Sequence, residues 1–306
     1  MNVSILYRGP LSSCNYACAY CPFAKRREMR AELAADRAAL GRFVAWLEKR
    51  TGDSIGVLFT PWGEALVRAW YREAFVLSSR LRHVAKVAAQ TNLSWGLDWL
   101  DRCDKDKLAL WCTFHPTEVS RRKFVAKCLE LDRRGVRFSV GAVGIQAHEA
   151  DIRALRRELP PHVYLWINAV KARPNYYRDD DVRRLEAIDP LFRVNLSDHP
   201  SAGRRCLAGE TVVSIDGDGT IRRCHFIREP IGNIYEAGIE AALTPRSCTN
   251  AVCRCHIGYV HMPELRLYDV FGDGVLERVP ALGSSKPAIQ ATSARQLVVL
   301  GGTRPT

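Results

Sequence analysis

Three cysteines near the start of the chain have the residue type and the spacing to hold an inorganic cofactor. Cys14, Cys18 and Cys21 form a Cys-x3-Cys-x2-Cys pattern, with Tyr20 directly before the last cysteine. Three thiolates this close in sequence can surround one iron–sulfur cube, which ordinarily takes four cysteines. One iron would then keep an open position at which a small molecule can bind. A zinc knuckle, which needs a fourth ligand, and an electron-transfer ferredoxin, which supplies a fourth cysteine, are the alternatives.

A second group of cysteines lies much later in the chain. Between its halves, the segment from Asp216 to Thr220 reads Asp-Gly-Asp-Gly-Thr and separates two apolar runs, which predicts a β-hairpin. Five thiols suit one additional cluster with four ligands and one thiol in excess. Two clusters would need further ligands, which His225, His256 or His261 could supply. A structural zinc site built from the same residues is the alternative. The cysteines of this second group are Cys206, Cys224, Cys248, Cys253 and Cys255.

The composition is that of a globular protein, and together with the N-terminal sequence it indicates the cellular environment of these cysteines. The chain has 306 residues, 47% of them hydrophobic and 25% charged, and contains no stretch of about 18 uncharged apolar residues. No secretory signal is visible at the start, so we expect a cytoplasmic protein without a membrane partner. In a reducing compartment, clustered cysteines favour metal binding over disulfides. The net charge of +12 is spread along the chain, so nucleic-acid binding is not favoured.

Short apolar runs rich in β-branched and aromatic residues alternate with helical patterns through the first two thirds of the chain. Leu40, Phe43, Val44 and Leu47 share one face of a helix. A second helix is predicted over about residues 117–134, and Gly135 is a plausible left-handed residue after it. This alternation predicts parallel βαβ units. The six predicted strands begin near Val3, Ile55, Val84, Leu108, Val136 and Val163.

Six such units predict an α/β fold, either a partial (β/α)6 TIM-like barrel or an open doubly wound sheet. In both architectures the chemistry lies at the carboxyl ends of the strands, and the first cysteine group follows the first strand. We expect residues 1–200 to form this domain and residues 201–262 a small cysteine-rich region. Residues 263–306 would be a C-terminal extension, and the Gly-, Ser- and Pro-rich part from about Ala281 onward predicts a mobile tail.

The cysteine spacing at 14–21, placed after the first strand of a βα array, resembles the signature of the radical S-adenosylmethionine (radical SAM) superfamily. The resemblance implies a [4Fe–4S] cluster on Cys14, Cys18 and Cys21. Its open iron would chelate the amino and carboxylate groups of S-adenosylmethionine (AdoMet). Reduction would cleave AdoMet to a 5′-deoxyadenosyl radical, which abstracts hydrogen from a substrate. In this family the cofactors carry the hard chemistry, and the protein orients them.

The same resemblance assigns AdoMet-binding roles at several strand ends. Trp62-Gly63-Glu64 replaces the Gly-Gly-Glu that is frequent in the family, so Glu64 could accept a hydrogen bond from the AdoMet ammonium, or could simply begin a helix. Tyr20 would pack near the adenine. The complete set of cofactor-binding residues that the resemblance implies is Tyr20, Phe23, Gly63, Glu64, Thr91, Asn92, Thr113, Arg122 and Gly144.

The second cysteine group resembles the auxiliary-cluster region called SPASM, or its shortened twitch form, although its second half departs in spacing. This implies an auxiliary [4Fe–4S] cluster on the five cysteines. The resemblance further implies a peptide or peptidic natural product as substrate, with a small molecule as second choice. It also implies a low-potential electron donor of the flavodoxin or ferredoxin type. The alternatives are a zinc-binding α/β protein without catalysis and an iron–sulfur electron-transfer protein.

Overall fold

The structure is a computed structural model that describes residues 1–23, 26–171, 173–236 and 238–281. Six parallel strands lie side by side in the order of the chain, each hydrogen-bonded to the next. A doubly wound sheet would reverse its strand order at a switch point, whereas sequential order is the winding of a (β/α) barrel. The strands are β1 (Asn2–Tyr7), β2 (Ser54–Phe59), β3 (Val84–Thr91), β4 (Leu108–Phe114), β5 (Arg137–Val143) and β6 (Leu165–Asn168).

Helices connect these strands and cover the outer face of the sheet. The first buries Leu40, Phe43, Val44 and Leu47, as the apolar periodicity predicts. The third begins a few residues later than expected and ends directly before Gly135, whose φ of +67° is the predicted left-handed conformation. The helices are α1 (Arg30–Glu48), α2 (Ala69–Arg80), α3 (Arg121–Arg133), α4 (Glu149–Glu158), α5 (Asp179–Glu186), α6 (Phe192–Leu196) and α7 (Leu267–Phe271).

The cysteine-rich region extends the same sheet. Its third strand pairs in parallel with β1 from Ser4 to Tyr7, on the side opposite β2, and the predicted hairpin follows with a turn at Gly219. Two short antiparallel pairs, β8 with β12 and β7 with β13, tie the remaining segments together. The strands are β7 (His199–Pro200), β8 (Arg205–Cys206), β9 (Val212–Ile215), β10 (Thr220–Arg222), β11 (Pro230–Asn233), β12 (Arg246–Ser247) and β13 (Val252–Cys253).

The inner face of the sheet is covered by the C-terminal part of the described chain. Leu58, Trp111 and Trp166 point to this face and belong to one buried cluster with residues 259–276. The guanidinium of Arg278 lies 4.9 Å from the Trp111 ring and 5.1 Å from the Trp166 ring. Residues 263–281 are thus folded against the barrel rather than extended from it. Residues 282–306, where the mobile tail is predicted, lie outside the described residues. In the described part, no helix is long and apolar enough to cross a membrane.

A buried carboxylate below β6 gives the fold a pH-dependent stability. Asp189 is fully buried and accepts hydrogen bonds from the backbone of Ile167 and Leu191 and from the Asn195 amide. Burial, partly offset by these bonds, raises its pKa from 3.8 to about 6. Between these two pH values the folded state keeps a proton that the unfolded state releases, so the contribution to stability falls as pH rises through this window.

We therefore expect the free energy of unfolding of the wild type to fall by about 2 kcal/mol between pH 4 and pH 7, relative to that of Asp189→Asn. Urea unfolding of both proteins across this range measures the difference. Comparing pH slopes cancels the titration of groups that the two proteins share, as well as the constant cost of the substitution. Parallel pH profiles for the two proteins would show that Asp189 does not titrate in this window.

Candidate functional site

The first cysteine group occupies the loop that follows β1, over the carboxyl ends of the neighbouring strands. Cys18 is buried and Cys14 and Cys21 are half-buried. The Asn92 amide, just after β3, lies 3.7 Å from the Cys14 sulfur, and the His115 Nδ1, just after β4, lies 3.4 Å from the Cys18 sulfur. The loop therefore meets the strand ends at which sequence analysis predicts the chemistry.

Two acidic side chains of the α1 region hold the start of this loop. Glu28 accepts hydrogen bonds from the backbone N–H groups of Ser12 and Ser13, at 2.8 and 3.2 Å. Asp36, fully buried in α1, accepts one from the Leu11 backbone at 3.1 Å. Sequence analysis missed both acids, because their only signal is a position within an arginine-rich segment whose tertiary contacts the sequence does not show.

The segment after β2 pairs directly with the cysteine loop. The Gly63 N–H donates to the Leu11 carbonyl and the Glu64 N–H to the Ser13 carbonyl, both at 3.1 Å. A Cβ on Gly63 would lie 2.0 Å from the Ser13 carbonyl oxygen. Gly63 is therefore required for this close approach of two backbone segments, one residue before Cys14.

The Glu64 carboxylate links the ends of β2 and β3. It is 6% exposed and accepts hydrogen bonds from the Leu66 N–H, the Thr91 hydroxyl at 2.7 Å and the Asn92 N–H at 2.6 Å. Burial raises its pKa, and these bonds oppose the rise. Glu64 thus caps the short helix Ala65–Val67 while holding the predicted Thr-Asn pair beside Cys14. These hydrogen bonds give the Glu64 carboxylate a structural role in holding the two segments together.

Aromatic residues surround the cysteine loop. The Tyr20 hydroxyl lies 2.9 Å from His115 Nδ1, and burial lowers the pKa of His115 to about 4, so this imidazole is neutral at pH 7. The exposed Phe23 ring packs on Trp62 with ring centroids 4.5 Å apart. Tyr20 and Phe23 both lie at the cysteine loop, and their roles in binding AdoMet stay predictions.

The remaining predicted AdoMet residues lie farther along the strand ends. Thr113 is half-buried, is the next-to-last residue of β4 and lies beside Gly141. Gly144 follows β5, where its carbonyl accepts a hydrogen bond from the Tyr177 hydroxyl at 2.6 Å. Arg122 is exposed in the first turn of α3. Within the described ranges, no hydrogen bond joins these three residues to the cysteine loop, so their roles stay predictions.

All five cysteines of the second group line one cavity of about 310 Å³. The β8–β12 pair places Cys206 and the β7–β13 pair places Cys253. The Cys255 sulfur accepts a hydrogen bond from the Gly258 N–H at 3.2 Å and lies 3.4 Å from His225 Nε2. Burial raises the pKa of the Cys253 thiol to about 12 and that of Cys255 to about 11, so without a metal both are protonated at pH 7.

The three candidate histidines of this region have different surroundings. His225 and His261 line the cavity, and each has one buried ring nitrogen without a hydrogen-bond partner in the described structure, Nδ1 and Nε2 respectively. His256 instead faces the Tyr259 hydroxyl at 3.0 Å. The first two are thus the histidines that remain available to an occupant of the cavity.

Trp62 joins the two cysteine sites. Its ring lies 3.9 Å from the Arg8 guanidinium, packs on Phe23 and approaches the His225 ring with centroids 6.5 Å apart. His225 in turn contacts Cys255. Sequence analysis identified Trp62 only as a departure from the family pattern, because the partners of an aromatic side chain depend on packing that local sequence does not encode.

Neither cysteine group converges on a single point. Throughout residues 1–23, 26–171, 173–236 and 238–281, no three Cys, His, Asp or Glu side chains meet closely enough to hold one metal ion. Zinc bound by thiolates requires ligand distances of about 2.3 Å around one centre. A cube of four irons takes each thiolate on a different iron, so its ligands stay farther apart.

Comparisons with known proteins rest on structure alone. No family model matches the chain, and no curated protein is similar in sequence.

Among solved structures, anSMEcpe with bound AdoMet superposes with a TM-score of 0.53, at 15% identity over 78% of this chain and 80% of that chain. Its complex with AdoMet and the Cp18Cys peptide gives 0.52, at 16% identity over 78% and 79%. anSMEcpe is an anaerobic sulfatase-maturating radical SAM enzyme. The chain therefore shares the overall fold of these solved structures.

Proposed function

We propose that the chain is a radical SAM enzyme that binds a [4Fe–4S] cluster through Cys14, Cys18 and Cys21. The observation that carries the proposal is the cysteine loop itself: three thiols lie over the strand ends of a radical SAM fold, held against the Gly63 segment. When bound, the reduced cluster would supply the electron that cleaves AdoMet to a 5′-deoxyadenosyl radical, which abstracts hydrogen from the substrate.

The donor set fits such a cluster better than a single ion. All three candidate ligands are thiols, which suit iron–sulfur chemistry. They belong to one loop but do not converge on one point in the described structure. The zinc-protein alternative is therefore not favoured for this site.

The side chains around the loop would position AdoMet. The backbone at Gly63 and the carboxylate of Glu64 keep Thr91 and Asn92 beside Cys14, and Asn92 also donates to the Asn15 side chain at 2.9 Å. Tyr20 offers an aromatic surface next to a neutral histidine for the adenine. These residues bind and orient, and the buried carboxylate keeps the strand ends in register.

The second cysteine group supports an auxiliary [4Fe–4S] cluster. A cavity of about 310 Å³ is roughly ten times the share of liquid volume that one water occupies, and five thiols line it. One ion would leave most of this space empty, whereas a cube with four thiolate ligands uses more of it. One cysteine of the five would remain unligated.

A peptide is the substrate class that we favour. The solved complexes of anSMEcpe with the Cp18Cys and Kp18Cys peptides, which share this fold, support it; a small molecule is the second choice. A flavodoxin or ferredoxin would supply the electron, and the net charge of +12 would attract an acidic donor.

Anaerobic reconstitution with iron and sulfide tests the proposal. We expect about eight irons per chain for two clusters, and release of 5′-deoxyadenosine when dithionite and AdoMet are added, measured by liquid chromatography. Bound zinc without iron or sulfide would contradict it. Two loaded clusters without AdoMet binding would instead indicate an electron-transfer protein.

A further inference from the structure

Two arginines beside the second cysteine group are buried without a carboxylate partner. Arg223 is 4% exposed and Arg8 is 7% exposed. Neither forms an ion pair with any residue in the described part of the chain, and the Nε of each is buried without a hydrogen-bond acceptor. A buried guanidinium is costly unless a negative charge compensates it.

Of these two arginines, Arg223 lines the cavity of the second cysteine group, and the other arginines that line this cavity differ from it in both respects. They are exposed, and each pairs with a carboxylate: Arg204 with Glu264, Arg205 with Glu210 and Arg254 with Asp198, at 2.6, 3.4 and 2.6 Å. Among the arginines that line the cavity in the described structure, the buried Arg223 is thus the one that forms no ion pair with a carboxylate.

Asp216 partly balances the charge of Arg8, whereas Arg223 lies among the cysteines of the second group. Arg223 directly precedes Cys224. Its guanidinium donates hydrogen bonds to the carbonyls of Arg246, at 2.9 Å, and Ser247, which are the two residues of β12. Since Arg246 pairs with Cys206 of β8, these bonds hold the guanidinium at the strand that pairs with Cys206. Arg223 lines the same cavity as Cys206 and Cys224. The Trp62 ring that contacts Arg8 approaches His225, which lies 3.4 Å from the Cys255 sulfur.

Neutral thiols cannot balance the positive charge of a buried guanidinium group, whereas an iron–sulfur cluster bound by four thiolates can. A [4Fe–4S] cube with four cysteines carries a net negative charge, and its reduction potential depends on nearby charges and on hydrogen bonds to its sulfurs. Reduction adds one more negative charge, so a fixed guanidinium stabilises the reduced form more than the oxidised form.

We propose that Arg223 is a positioning residue of the auxiliary cluster, whose guanidinium faces Cys206, balances the charge of the ligated cluster and raises its reduction potential. The inference rests on the proposed auxiliary cluster. Held by two backbone carbonyls, the guanidinium stays in place whether or not the cluster is reduced.

Redox titration of the reconstituted protein, followed by electron paramagnetic resonance, tests this inference. Arg223→Gln should lower the midpoint potential of the auxiliary cluster enough to change the ratio of reduced to oxidised cluster at least tenfold at a fixed potential, about 59 mV for one electron. Arg223→Lys should keep most of the wild-type potential, because it retains the charge. Arg266→Gln is the control, because Arg266 is exposed and pairs with Asp269 outside the cavity lining; it should leave the potential unchanged because solvent screens that charge.

The outcomes separate this inference from the proposed function. A wild-type protein that binds only one cluster would defeat the auxiliary cluster itself. An auxiliary cluster with the same potential in wild type and Arg223→Gln would overturn the role of Arg223. Loss of the cluster in both Arg223 variants, but not in Arg266→Gln, would show a purely structural role and would also overturn it. Loss in Arg223→Gln with retention in Arg223→Lys would support charge balance.

Discussion

Replacing Cys18 by alanine is expected to abolish the release of 5′-deoxyadenosine. Cys18 is the buried member of the first cysteine group and lies 3.4 Å from His115. Two thiolates cannot hold a [4Fe–4S] cube that ordinarily takes four cysteines. Since changes outside the ligand shell already cost about 10–100-fold in metal affinity or activity, loss of a ligand should reduce AdoMet cleavage by more than about 100-fold.

The measurement combines iron analysis with chromatographic detection of 5′-deoxyadenosine after anaerobic reconstitution. Iron should fall from about eight to about four atoms per chain, because the second cysteine group is untouched. Cys103→Ala is the matched control: this half-buried thiol lies beside the Trp99 carbonyl, away from both groups. Full iron content and AdoMet cleavage in Cys18→Ala would remove the basis of the proposed function.

Adding one methyl group at Gly63 is expected to disable the same site without touching a ligand. The new Cβ would lie 2.0 Å from the Ser13 carbonyl oxygen, 2.8 Å from the Ser13 carbonyl carbon and 2.8 Å from its nitrogen. These are backbone atoms, so either the cysteine loop or the Gly63 segment must move. A displacement of about 1 Å near a reacting centre can cost about 100-fold in rate, and we expect Gly63→Ala to lose that much.

Gly41→Ala is the matched control for this substitution. Gly41 lies within α1, and nothing comes within 4 Å of the Cβ that alanine would add there. Its higher helix propensity should raise the free energy of unfolding by about 0.5–1 kcal/mol. Wild-type AdoMet cleavage and iron content in Gly63→Ala would mean that the two segments can separate without consequence for the site.

Much of the fold could be predicted because its signals are local. The six parallel strands follow from apolar runs, α1 from its periodicity, and the β9–β10 hairpin from its glycine-rich turn. The cysteine spacing likewise predicts which thiols share a loop. Each of these features depends on residues close together in the sequence, whose pattern reflects one face of one element.

The parts that could not be predicted depend on contacts between distant segments. Nothing near Asp36 indicates that it anchors Leu11, and nothing near Arg223 indicates that it lacks a carboxylate. The contact of Trp62 with His225 joins residues that are far apart in the chain. Such contacts are set by how helices and strands pack, so only the structure reveals that the two cysteine groups share a boundary.

The pairing of β1 has a consequence for how the protein forms during synthesis. β1 is synthesised about 200 residues before β9, yet it is an interior strand of the sheet, between β2 and β9. The inner face of the sheet is covered by residues 259–278, which are synthesised later still. The edge of β1 that pairs with β9 therefore stays unpaired until residues 212–215 have been synthesised. An unpaired strand edge can pair with another chain and lead to aggregation. We therefore expect the yield of folded protein in a cellular host to depend on chaperones that cover this edge.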